Sequence, residues 1–128
     1  MKKAIFTDEN TENKEIKDSE NNLFWRLEAE PGEYNWQQAI AHAWSQAKAD
    51  DKLWRLPSLE ELKTLVWLDK SGRPNYPNWL NNQDRKGEFW TSTPAVGDDV
   101  RAWVVYFGSG NVLRVHVGNK NRVLLVRS

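Results

Sequence analysis

The apolar period of this chain changes from helical to extended across residues 70–88, and that switch constrains its fold more than any other feature. Trp36, Ala39, Ile40, Ala43, Trp44 and Ala47 recur at the i, i+3, i+4, i+7, i+8 spacing of one helix face. Asn35 is a suitable N-cap for this helix, and Asp50-Asp51 should end it. Ser58 with Glu61 three residues on forms a capping box for a second helix. Its buried stripe is Leu59, Leu62, Leu65 and Val66, and it should stop near Leu68-Asp69. From Phe89 onward the pattern is that of strands, at 89–93, 101–107, 111–117 and 122–127, with Gly108-Ser109-Gly110 as a hairpin turn. Upstream, residues 15–18 and 22–27 flank Ser19-Glu20-Asn21 and predict another hairpin, followed by a loop at Glu30-Pro31-Gly32-Glu33. Residues 70–88, with Gly72, Pro74, Pro77 and Gly87, read as a long irregular stretch, of the kind that is usually functional or mobile. The order hairpin, two helices, long loop and antiparallel meander is α+β, with two helices packed on a small antiparallel sheet.

A chain of 128 residues fits one domain and can bury a core without staples. That domain is placed at 15–128; residues 1–14 read as a polar segment, ordered or disordered. There is no cysteine, which removes disulfides, thiol nucleophiles and cysteine–metal sites. Net charge is zero, from 18 basic and 18 acidic residues, so no field attracts nucleic acid or an anionic membrane. No run of 18 apolar residues exists to span a bilayer. The first residues, Met1-Lys2-Lys3-Ala4-Ile5-Phe6, carry no apolar leader core, so the sequence as it stands reads as cytoplasmic.

Four segments occur in a recognisable order: Asp18 to Trp25; Trp54-Arg55-Leu56-Pro57 with Glu61-Leu62; Trp90-Thr91-Ser92-Thr93; and Trp103-x-Val105-x-Phe107 with the closing Val126-Arg127. Together they resemble the bacterial family named after the C-terminal domain of a collagen-like adhesin, over roughly residues 15–128. The resemblance implies a C-type-lectin-like fold, with a glycan-binding adhesin module as namesake and members that are often exported. The wider superfamily includes formylglycine-generating oxidases, which need paired cysteines that this chain lacks, and hypervariable receptor-binding proteins of phages and bacteria.

Eight tryptophans serve a core and a binding surface equally well. Periodicity and the motifs make Trp25, Trp36, Trp44, Trp54, Trp90 and Trp103 scaffold and leave Trp67 open. In the long loop, Tyr76, Trp79, Asn81 and Asn82 combine rings that stack with amides that orient, a pattern suited to carbohydrate or peptide. Trp79 is equally suited to anchor the loop in the core. Across the last hairpin, Tyr106, Arg114 and His116 are candidates for one exposed face holding a polar ligand. Asp98 and Asp99 beside Asn81 or Asn82 offer oxygen ligands but lack EF-hand spacing and the Glu-Pro-Asn and Trp-Asn-Asp lectin calcium motifs, so they read as a solvated turn. The two histidines, His42 and His116, do not form a zinc pair, and there is no Gly-x-Ser-x-Gly elbow. The expectation is a non-catalytic binding module without metal or cofactor. It would recognise a glycan or protein surface through the 70–100 loops and the C-terminal sheet face. The alternative is an assembly subunit of a phage or secreted particle, with exposed tryptophans buried between copies in a homo-oligomer.

Overall fold

Both helices start where their capping residues stand. The computed structural model describes residues 1–10 and 14–128. Helix α1 spans Trp36–Asp50; the Asn35 side chain accepts the Gln38 N–H, the Gln38 side chain accepts the Asn35 N–H, and Asp51 closes the helix in the left-handed region at φ 53°. Helix α2, Leu59–Lys63, opens with the corresponding box at Ser58 and Glu61. It is shorter than its apolar spacing predicts. The Thr64 hydroxyl donates to the Glu61 carbonyl at 2.6 Å, and the chain then leaves the helix. Residues expected in its last turn form β4, Trp67–Leu68, which pairs with β5, Pro74–Asn75, inside the stretch expected to be irregular. Asp69 makes that return, its Oδ1 accepting the N–H groups of Ser71 and Arg73, each at 2.9 Å.

The remaining strands form two antiparallel sheets. In the first, β1 (Phe6–Asn10), β2 (Glu15–Asp18), β3 (Leu23–Arg26) and β9 (Val126–Arg127) lie side by side in that order. The fold therefore begins earlier than residue 15: β1 comes from the polar N-terminal segment, and Ala4 is buried against the core. Residues 11–13 of that segment lie outside the described residues. In the second sheet, β6 (Glu88–Pro94), β7 (Arg101–Tyr106) and β8 (Asn111–His116) make the meander. The fold is mixed α+β.

Two cores are divided by segments that are apolar on both faces, one of them the closing stretch, where only Val126–Arg127 of the strand expected at 122–127 forms as one. In the closing segment Val123-Leu124-Leu125-Val126 every residue is fully buried, and the side chains alternate, Leu124 and Val126 entering one core and Val123 and Leu125 the other. Phe89 and Trp90 divide in the same way, as do Val105 and Val104. Continuous apolar runs mark strands covered on both sides. Helix α2 contributes Leu62 to the first core, with Trp25 and Phe107; α1 contributes Ala39 and Ala43 to the second, with Trp54 and Trp90.

Arg55 ties α2 to β9. Its backbone exchanges hydrogen bonds with Val126, and its guanidinium holds the Glu61 carboxylate in a fork at 2.6 and 2.8 Å. Burial works hardest against ionisation of Glu61, but the Arg55 bonds and the Ser58 N–H together hold its carboxyl below the ordinary 4.5. A depressed acid stabilises the fold above its unfolded pKa, and the contribution is lost as pH falls through the folded value. Thermal melts of the protein from about pH 7 to about pH 3 should therefore lose stability below about pH 4.5. Glu61→Gln should have a lower melting temperature at neutral pH and a shallower acid decline. An unchanged acid limb in Glu61→Gln would refute this linkage.

Candidate functional site

The register of the last hairpin decides which of its side chains share a face. Tyr106 pairs with Asn111, Trp103 with Arg114 and Arg101 with His116. The turn therefore contains residues 107–110, one more than expected, with Gly110 in the left-handed region at φ 80°. That extra residue pairs odd positions of β7 with even positions of β8. Tyr106 consequently lies on the opposite face from Arg114 and His116, so the expected trio does not form. Trp103 takes the place of Tyr106. It is half-buried, not the core residue its alternation with Val105 and Phe107 suggested, and the Arg114 guanidinium lies 5.8 Å from its ring centre.

Arg101, Trp103, Arg114 and His116 thus share one face. Arg101, Arg114 and His116 are exposed. His116 Nδ1 accepts the Gly118 N–H at 2.9 Å, which fixes the ring on the exposed face. Beside this end of the hairpin the β6–β7 loop carries Val96, 97 % exposed, and Val100, 49 % exposed. Asp98 steadies that loop. Its carboxyl lies below the ordinary carboxylate range, first through the Val100 N–H and then through Arg101. Among the described residues no group of three His, Asp or Glu side chains is placed to hold a metal ion.

The long loop spends its rings on packing. The Tyr76 hydroxyl donates to the Phe107 carbonyl, its ring lies against Phe107, and Arg85 sits 5.3 Å from its centre. Burial raises the Tyr76 phenol above its ordinary value. Trp79 is the loop's anchor: its ring meets Phe6 edge-on at 5.4 Å against the first core. Asn81 is exposed and its Oδ1 accepts the Asp84 N–H at 2.8 Å, opening a short 3₁₀ turn at Asp84–Lys86. Asn82 is exposed and well away in sequence from the hairpin face.

Two features had no clear signal in the sequence. The first is an apolar groove of about 650 Å³ between α1 and residues 53–56, lined by Ile40, Ala43, Ala47, Trp54 and Leu56. Trp44, 70 % exposed, and Leu53, 85 % exposed, also border it. Trp44 is therefore not scaffold, although it lies in the helical repeat; α1 buries fully only Ala39 and Ala43. Adjacent apolar residues in extended chain point to opposite sides, so Leu53-Trp54 was the available hint. The second is a polar cleft on the other side of α1. There Arg26 bonds Glu30 at 3.2 Å, Gln46 at 2.7 Å and the Asp50 carboxylate. His42 meets Glu30 at 2.8 Å, and the Trp54 indole N–H meets Asp50 at 2.9 Å. These groups satisfy one another and clasp α1 to β3, which accounts for the largely buried Arg26 and Glu30.

No curated protein matches the sequence significantly. The family model of the Lcl C-terminal domain matches residues 14–127, which include every element from β2 to β9. On that match, the chain belongs to the Lcl C-terminal domain family.

Proposed function

We propose that this domain is a non-catalytic binding module that recognises a glycan or protein surface through the Arg101–Trp103–Arg114–His116 face and the adjoining 96–100 loop. The single observation that carries this is the grouping of two guanidiniums, an imidazole and a half-exposed indole on one side of a fully paired hairpin. Strand-borne side chains lose little entropy on binding, and guanidiniums suit ligands rich in hydroxyl or carboxylate oxygen. The 70–88 loop acts in support: Tyr76 and Trp79 brace the hairpin tip and the core, while Asn81 and Asn82 are exposed. Two helices and small antiparallel sheets closed by β9 are compatible with the C-type-lectin-like fold that the family implies.

The test is a panel of immobilised glycans and candidate surface proteins probed with the wild-type chain, Trp103→Ala and Arg114→Ala. Each variant should weaken binding at least about tenfold, equivalent to about 1.4 kcal/mol. Tyr106→Ala, on the opposite face, should bind as wild type. Binding that survives both substitutions, or that is lost equally in Tyr106→Ala, would remove this face as the site.

A further inference from the structure

We propose that the α1 groove is a two-fold interface between copies of this chain, in which each Trp44 seats in the partner copy's groove. This surface is separate from the hairpin face and does not depend on the function assigned there. Trp44 and Leu53 are a knob and a ledge, both largely exposed, bordering a concavity of about 650 Å³ lined by Ile40, Ala43, Ala47 and Leu56. A knob beside a hole that accommodates it is the requirement for a self-complementary, isologous contact.

The rim charges point the same way. Lys48 and Asp51 both border the groove, and among the described residues neither has an ionic partner within its own chain. A two-fold axis passing between them crosses the two α1 helices antiparallel. It sets Lys48 of each copy against Asp51 of the other and carries Trp44 toward the other copy's Leu53-Trp54-Arg55 segment. Arg55, the other charge on the groove, is already paired with Glu61, so one unpaired charge of each sign remains on the rim; that suits a second copy, whereas an acidic or basic partner would leave one of them opposed. The area is modest. At about 150 Å² for an indole exposed to this degree, plus Leu53 and the groove walls, the pair would bury about 1,000 Å² in total, near the lower limit for a specific contact. An area at that limit is expected of a weak, concentration-dependent dimer rather than an obligate one.

Sedimentation velocity over about 10 µM to about 1 mM reads this directly. The wild-type chain should shift from monomer to dimer across that range, and Trp44→Ala, which removes an exposed side chain, should remain a monomer. Lys48→Glu alone should not associate, because it opposes two acids, and Asp51→Lys alone should not, because it opposes two lysines. An equimolar mixture of the two variants should form a dimer. In the mixed pair the introduced glutamate of one copy faces the introduced lysine of the other, and the retained Asp51 faces the retained Lys48. A wild-type chain that stays monomeric, a Trp44→Ala variant that dimerises as wild type, or a mixture that fails to associate would each overturn the proposal. Circular dichroism on each variant separates loss of association from loss of fold.

Discussion

Replacing Trp90 with alanine is expected to lower the unfolding free energy by about 3–5 kcal/mol, the range for deleting a large aromatic from a packed core. Trp90 is fully buried in the second core with Ala39, Ala43, Trp54 and Val104. Its indole N–H donates to the Tyr34 carbonyl at 2.7 Å, and its backbone N–H to the Arg122 carbonyl at 3.0 Å. The side chain thus joins the loop before α1 to the meander and packs with Val123 and Leu125 of the closing segment, while the backbone bond to Arg122 is independent of it. Alanine leaves a cavity and removes one of the two donors to the Tyr34 carbonyl, which keeps the Asn121 N–H at 2.9 Å. Phenylalanine restores most of the volume but not the donor, so Trp90→Phe should cost less, about 1–2 kcal/mol. Trp44→Ala is the internal contrast: with 70 % of its surface already in solvent, its loss should shift stability by no more than about 0.5 kcal/mol at concentrations where the chain is monomeric. Urea unfolding followed by circular dichroism ranks the three. A Trp90→Ala loss below about 2 kcal/mol would contradict the packing described.

The contrast between Trp90 and Trp44 also marks what was legible in the sequence. Caps were legible because they are local: Asn35 with Gln38 and Ser58 with Glu61 bond within one turn, so their spacing suffices. Strand existence was legible from β-branched and aromatic runs. The length of α2 was not, because Leu65 and Val66 are buried as its helical stripe predicts but on a chain that has already left the helix. Faces were the least legible feature. A single additional residue in the β7–β8 turn moved Tyr106 away from Arg114 and His116 and brought Trp103 to them. Burial on both sides of a strand hid the parity further: in β7 Val104 and Val105 are both fully buried, so alternation had no polar side to report. The N-terminal strand was missed for a related reason. Residues 6–10 carry little apolar pattern, and their place is set by pairing to β2.

Arg127 in β9 should be nearly as costly to remove as a core aromatic, although it is charged. Its Nε and Nη2 bond both oxygens of Glu15, at 3.1 and 2.7 Å, and the Glu15 side chain is only 7 % exposed. Its guanidinium also lies between the rings of Phe24 at 4.2 Å and Trp54 at 5.6 Å, so it links β2, β3 and the second core. Removing one partner of a largely buried pair strands the other charge, which costs about 3–5 kcal/mol. Lys52, 3.5 Å from Glu15, offsets part of that loss and places Arg127→Ala near the lower end of the range. Arg127→Lys keeps the charge but gives up the planar fork and the stacking, so an intermediate loss of about 1–2 kcal/mol is expected. The decisive variant is the double replacement Glu15→Leu with Arg127→Met. If the cost of Arg127→Ala arises from a stranded carboxylate, the double variant should be more stable than Arg127→Ala, because no uncompensated charge remains. If it arises instead from lost stacking on Phe24 and Trp54, the double variant should be no better than the single one. Urea unfolding near pH 7 distinguishes the two, and an Arg127→Ala cost below about 1 kcal/mol would show that Lys52 alone satisfies Glu15.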